Sequence, residues 1–142
     1  KIYMLGVDEG KEIGLQDSIY LYTPIIPSLR GAEGKMSSSV KESFISIRDS
    51  KESIKAKINK AYCKPGDLEN NPILAITRLV IFPKFETIEI KREKKYGGNL
   101  KFSNYSQIEN AFESGKLHAS DLKNAVAEYL EEIIGPIRKG WK

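Results

Sequence analysis

The chain alternates between short continuous apolar runs and longer stretches with helical spacing. Ile19-Tyr20-Leu21-Tyr22 is β-branched and aromatic without interruption, and Thr23-Pro24 stops it. That pattern predicts a short strand buried on both faces of a parallel sheet, whose neighbouring strands must come from elsewhere. Pro27 to Ser39, with Gly31, Gly34 and three serines, reads as a flexible loop beyond the carboxyl end of that strand. In open α/β sheets that is where ligands bind.

From Asp49 the spacing becomes helical. Asp49 and Ser50 are candidate caps, and Ile54, Ile58, Ala61 and Tyr62 share one face before Pro65-Gly66 ends the helix. Asn71-Pro72 supplies a cap and a pre-set first residue for a second helix. Its Ile73, Leu74, Ile76, Leu79, Val80 and Ile81 predict burial in the core up to Pro83. Ile88 and Ile90 alternate with charges, as do Leu100 and Phe102 after Gly97-Gly98, so a small hairpin is expected. Ser106 and Glu109 fit a capping box for a short helix closed by Gly115. Ser120 then caps a longer helix with an apolar stripe of Leu122, Val126, Leu130, Ile133 and Ile137, bent or ended by Pro136. The expected fold class is an α/β remnant over residues 1–48, then a mainly α-helical domain with a small β-hairpin over residues 49–142.

Composition alters this picture little. A net charge of +4, from 23 basic and 19 acidic residues among 142, favours acidic partners such as nucleic acid only weakly. One cysteine, Cys63, cannot form an internal disulfide, and with a single histidine, His118, no protein-bound metal is expected. No apolar run approaches the roughly 20 residues that span a bilayer, and no signal peptide is recognisable, so a cytoplasmic protein is expected. The opening Lys1-Ile2-Tyr3-Met4-Leu5 starts in mid-pattern, as in a piece of a longer protein. Gly6-Val7-Asp8-Glu9-Gly10-Lys11 is not a phosphate-binding P-loop. It is one residue short between its glycines, and Glu12 stands where a hydroxyl should hold magnesium, so a helix end and turn is expected instead.

The most specific string is Gly34-Lys35-Met36-Ser37-Ser38-Ser39. It resembles the KMSKS element of class I aminoacyl-tRNA synthetases, in the KMSSS form of the tyrosyl enzymes. Amino-acid activation drives a carboxylate onto the α-phosphate of ATP, and negative charge builds on the departing pyrophosphate. A lysine on a mobile loop meets that charge, while small serines and glycines let backbone N–H groups approach the phosphates. The resemblance therefore implies a catalytic Lys35 and an ATP-binding set of Gly34, Lys35, Met36, Ser37, Ser38 and Ser39, with Mg2+ arriving on the ATP. Many relatives carry another lysine directly after the third serine. Here Val40 stands there and Lys41 follows.

Further strings narrow the resemblance to the archaeal and eukaryotic type of tyrosyl-tRNA synthetase. Ala61-Tyr62-Cys63, Pro65-Gly66 and Glu69-Asn70-Asn71-Pro72 are similar to the segment joining the loop to the C-terminal domain. Glu93-Lys94-Lys95-Tyr96-Gly97-Gly98 and Leu117-His118-Ala119-Ser120-Asp121-Leu122-Lys123 are similar to the two anticodon-contacting segments. Ala119 replaces a usual proline, and Lys1 to Leu5 resembles the end of a helix beside the tyrosine pocket.

The resemblance implies that residues 1–48 close a Rossmann-like catalytic domain and that residues 49–142 form an anticodon-binding domain. Tyr96 would stack on the first anticodon base, a guanine, Asp121 would read its edge, and His118 would order the helix entry. An unstacked base offers a face to an aromatic ring and donors to a carboxylate. Lys91, Arg92, Lys94, Lys95 and Lys101 would neutralise nearby phosphates. The implied function is tyrosine-tRNA ligation, with ATP, tyrosine and tRNA(Tyr) as partners and a homodimeric parent. This piece alone is expected to be a monomer without ligase activity. Two alternatives are a standalone tRNA-binding module and a fragment of a tryptophanyl-tRNA synthetase.

Overall fold

The computed structural model describes residues 10, 12–14, 23–31, 36, 37 and 39–140. The strand expected at Ile19 to Tyr22 and the match at Lys1 to Leu5 lie outside them. Gly10 and Glu12 are helical and Ile13-Gly14 turns, as expected of a helix end.

The described architecture is mostly helical with one small antiparallel sheet. Helix α1 is Lys51–Lys60. A second helix, α2, runs over Pro72–Ile76 and continues as a π-helical turn over Thr77–Ile81. Strands β1 (Ile88–Ile90) and β2 (Leu100–Phe102) pair antiparallel, with Ile88 opposite Phe102 and Ile90 opposite Leu100. Helix α3 is Tyr105–Glu113 and helix α4 is Ala119–Gly140.

Local chemistry explains most of the boundaries. The Ser50 hydroxyl accepts from the Ser53 N–H and starts α1. This helix stops at Lys60, so Pro65-Gly66 belongs to a separate turn and does not end it. The buried Asn71 amide oxygen accepts from Ile73 and Leu74 N–H at 3.1 and 3.3 Å, and Pro72 opens α2 without wasting a donor. The π turn is where the Thr77 hydroxyl donates to the Ile73 carbonyl at 2.7 Å and Phe82 N–H reaches the Thr77 carbonyl. Gly115 follows the end of α3.

Several expectations shift. The cap of α3 is Asn104, which accepts from Gln107 N–H at 3.1 Å, and the Gln107 side chain takes the Ser103 N–H in return. The capping pair is therefore two residues earlier than Ser106 and Glu109. Helix α4 begins at Ala119, so Ser120 is already inside it, and the His118 carbonyl receives the Asp121 and Leu122 N–H groups. Pro136 sits within α4 without ending it. The apolar stripe also turns out differently: Leu122, Val126, Leu130 and Ile134 are buried, whereas Ile133 is half-buried and Ile137 is 47% exposed.

The core gathers Ile54 and Ile58 of α1, Ile73, Leu74 and Ile81, one face of the sheet through Ile88, Ile90 and Phe102, Ile108 and Phe112 of α3, and the α4 stripe. Helices α1 and α4 lie antiparallel. Lys123 Nζ donates to the Asn59 carbonyl at the end of α1, and Arg138 donates to the Asp49 carbonyl at its start. Tyr129 of α4 ties that helix to the sheet: its hydroxyl oxygen accepts from Glu89 N–H at 2.9 Å, and its ring packs on Phe85.

Candidate functional sites

The segment before α1 is more firmly held than a flexible loop. Leu29 is 2% exposed and enters the core beside α1. Its N–H donates to the Ser43 carbonyl at 3.0 Å, and its carbonyl accepts from Tyr62 N–H at 2.7 Å. Gly31 has φ +82°, and a Cβ there would stand 2.8 Å from Tyr62 Cγ. The bare glycine lets the Tyr62 ring lie against the backbone, and the Tyr62 hydroxyl donates to Asp67 at 2.7 Å. That bond and the Asn70 N–H hold the Asp67 carboxyl below the usual carboxylate range.

Beyond this anchor the serine string is fastened by a residue outside it. Ser43, 1% exposed in a 3-10 turn over Lys41–Ser43, accepts the Ser37 N–H at 3.0 Å. Its hydroxyl proton faces two acceptors, the Ser37 carbonyl at 2.9 Å and the Val40 carbonyl at 2.7 Å. The Ser37 and Ser39 hydroxyls are 2.7 Å apart and share a hydrogen bond. Met36 is 46% exposed, and Lys41 is exposed as well. Gly34, Lys35 and Ser38 lie outside the described residues. Nothing in the local pattern marks Ser43 as the anchor, because its role depends on a fold-back that brings it under Ser37.

Tyr96 and Asp121 come from segments far apart in sequence that the fold brings together. Tyr96 ends a 3-10 turn over Lys94–Tyr96 in the connection between β1 and β2, and it is 62% exposed. The Lys95 ammonium lies 4.8 Å from its ring centroid. Asp121 occupies the first turn of α4, where the helix dipole favours a carboxylate. Arg92 joins them. Its Nε donates to the Gly98 carbonyl at 3.1 Å, Nη1 to the Lys116 carbonyl at 2.9 Å, and Nη2 to the Tyr96 carbonyl. Nη1 also stands 3.9 Å from Asp121 Oδ2. His118 is exposed at the helix entry and contributes its carbonyl.

The expected cationic cluster therefore divides. Arg92 is 7% exposed on its side chain and is committed to the protein, so it is not a phosphate contact. Lys91, Lys94, Lys95 and Lys101 are exposed. The pairs Lys91 with Glu128 and Lys95 with Glu93 sit in solvent and hold these side chains only weakly. Cys63 is half-buried and packs against the core, and burial pushes its thiol up despite a hydrogen bond from Asn71. Among the described residues no three His, Cys, Asp or Glu side chains gather as a metal site, and no helix is long and apolar enough to cross a membrane.

Comparison with known proteins fits this geometry to a family. The model of class I tRNA synthetases of the tryptophan and tyrosine type matches residues 3–135. The chain belongs to that family. It is 49% identical over 139 residues to the tyrosine–tRNA ligase of Methanosarcina barkeri, covering 98% of this chain and 43% of that protein. The tyrosine–tRNA ligase of Saccharolobus islandicus is 39% identical over 155 residues, with the same coverage. The tyrosyl-tRNA synthetase of Archaeoglobus fulgidus, solved with L-tyrosine, superposes with a TM-score of 0.88 at 40% identity, covering 97% of this chain and 42% of that one. The chain thus spans less than half the length of these synthetases.

Proposed function

We propose that the protein to which this chain belongs is a tyrosine-tRNA ligase. It activates tyrosine with ATP and transfers it to tRNA(Tyr), with residues 1–48 closing the catalytic domain and residues 49–142 reading the anticodon. What supports this most directly is the meeting of the Tyr96 turn and the Asp121 helix entry on one guanidinium, in a chain whose named relatives are tyrosine–tRNA ligases. In this reading Lys35 neutralises the charge that develops on pyrophosphate, and Gly34 to Ser39 surround the ATP phosphates. The Ser43 anchor then gives the loop a defined base from which to work.

At the other site, a guanine stacks on the Tyr96 ring and its donors meet Asp121. The Lys95 ammonium already covers part of that ring, a contact worth about 0.5–1 kcal/mol at an exposed site. Base stacking on an aromatic ring is worth about 1–3 kcal/mol. A base therefore displaces the lysine, which is then free for a phosphate. His118 orders the entry to α4 beside it, and Lys91, Lys94 and Lys101 line the approach.

Two measurements separate the halves of the proposal. Lys35→Ala in the intact protein should slow tyrosine-dependent ATP–pyrophosphate exchange by orders of magnitude; an unchanged rate would remove Lys35 from the chemistry. Tyr96→Ala combined with Asp121→Ala should weaken binding to tyrosine tRNA while leaving exchange intact, and wild-type affinity would remove the anticodon assignment. A tryptophanyl activity would show itself as exchange driven by tryptophan instead.

A further inference from the structure

We infer that Arg92 is a positioning residue for base discrimination: its guanidinium fixes the Tyr96 ring relative to the Asp121 carboxylate and so sets how strictly the first anticodon base is read. The inference rests on the reading of Tyr96 and Asp121 proposed above.

The connection from β1 to β2 runs from Lys91 to Asn99 and is not held by strand pairing, since the ladder ends at Ile90 opposite Leu100. Its backbone carbonyls therefore need other partners. Arg92 supplies them for Tyr96 and Gly98, and with the same planar group it holds the Lys116 carbonyl, 24 residues away, just ahead of α4. The base of the arginine is itself fixed. Its N–H donates to Asn99 Oδ1 at 3.0 Å, and Asn99 Nδ2 donates to Glu89 Oε1 at 3.1 Å. Gly97, at φ +92°, lies against the fork, and a Cβ there would be 3.0 Å from Nη2.

A guanidinium is suited to this task because its five donors are coplanar and its charge is permanent, whereas an ammonium is a compact point charge on a flexible stem. At 3.9 Å from Oδ2 the guanidinium attracts the Asp121 carboxylate without a close hydrogen bond, and that side chain remains 25% exposed. Acceptor capacity is thus left for the edge of a base. Arg92 touches no ligand in this arrangement and acts through Tyr96 and Asp121.

The test uses the intact protein and tyrosine tRNA transcripts carrying guanine, or each other base, at the first anticodon position. Binding is measured at one fixed salt concentration. Arg92→Lys keeps the charge and stem but can serve at most one of the carbonyls well. It should lower affinity for the guanine transcript about 10–100-fold, with a much smaller change for the other transcripts, so that discrimination collapses. Arg92→Gln should do the same, and either change should have little further effect in a Tyr96→Ala, Asp121→Ala background. Retained discrimination in Arg92→Lys, or equal weakening for every transcript, would overturn the inference and leave Arg92 as a stability or charge residue. If Tyr96→Ala and Asp121→Ala do not alter affinity at all, the site assignment fails first, and the inference with it.

Discussion

Gly31→Ala tests how the segment leading to the serine string is tied to α1. Two penalties meet at this position. The first is backbone: φ +82° is open to glycine, whereas an L-residue there pays about 1–2 kcal/mol. The second is steric: the new Cβ would stand 2.8 Å from Tyr62 Cγ and 3.1 Å from Tyr62 Cβ. The ring cannot swing away freely, because Tyr62 N–H is bonded to the Leu29 carbonyl and its hydroxyl to Asp67. Overpacking of this kind costs about 1–3 kcal/mol, so the total is about 2–5 kcal/mol. Urea denaturation of wild type, Gly31→Ala, Tyr62→Ala and the double variant forms a thermodynamic cycle. Removing the ring should recover the steric share and leave the backbone share, giving a coupling energy of about 1–3 kcal/mol. A Gly31→Ala loss below about 0.5 kcal/mol, at the scale of an ordinary surface change, would refute the packing argument. A full loss with zero coupling would refute its steric half alone.

Other consequences are more local. Because Tyr96 is 62% exposed, Tyr96→Ala should leave the thermal midpoint within about a degree of wild type while weakening tyrosine tRNA binding about 5- to 150-fold, the equivalent of one stacked base. Loss of affinity accompanied by a large fall in midpoint would mean that the ring packs and does not stack. Ser43→Ala removes the acceptor for Ser37 N–H, while the Ser37 carbonyl keeps the Val40 N–H. Amide hydrogen exchange at Ser37 should accelerate about tenfold, and an unchanged rate would show that the string is held by something else. At Asp49, burial pushes the carboxyl up, but hydrogen bonds from Lys57, Ser46 N–H and Ser53, with the Lys57 charge, outweigh it and leave it below its ordinary 3.8. A lowered folded value means stabilisation that is fully present above pH 3.8 and is lost as pH falls through that lower value. Asp49→Asn should therefore cost about 1–3 kcal/mol at pH 7 and flatten the acid limb of the stability profile below about pH 4, an outcome measurable by denaturation at a series of pH values.

What the chain settled by itself are the features whose physics is local. Ser50 and Asn71-Pro72 satisfy helix donors two or three residues away, so they can be read as caps without knowing the fold. The β1 and β2 alternation needs only one buried face, and Gly115 needs only its own backbone freedom. The Lys35 string and the Tyr96 and His118 to Asp121 segments carry their family resemblance as strings, which is why the candidate sites were legible before any geometry. Where two local solutions compete, sequence cannot choose: Asn104 with Gln107 and Ser106 with Glu109 both fit the opening of α3 as patterns, and the structure uses the first.

The tertiary structure decided everything that depends on a distant partner. The α4 stripe follows steps of four residues, each drifting about 40° around the helix, because its buried face must track antiparallel α1 along its length. Ile137 falls off that track and stays exposed. Ser43 becomes an anchor only because Ser37 folds back over it. Arg92 has the strongest dependence of all: in sequence it is one cation among several beside Tyr96, and the carbonyls that turn it inward come from a connection without strand pairing and from Lys116, 24 residues on. Backbone acceptors without strand partners, which no side-chain pattern records, are what converted a surface charge into the joint between the two segments of the candidate site.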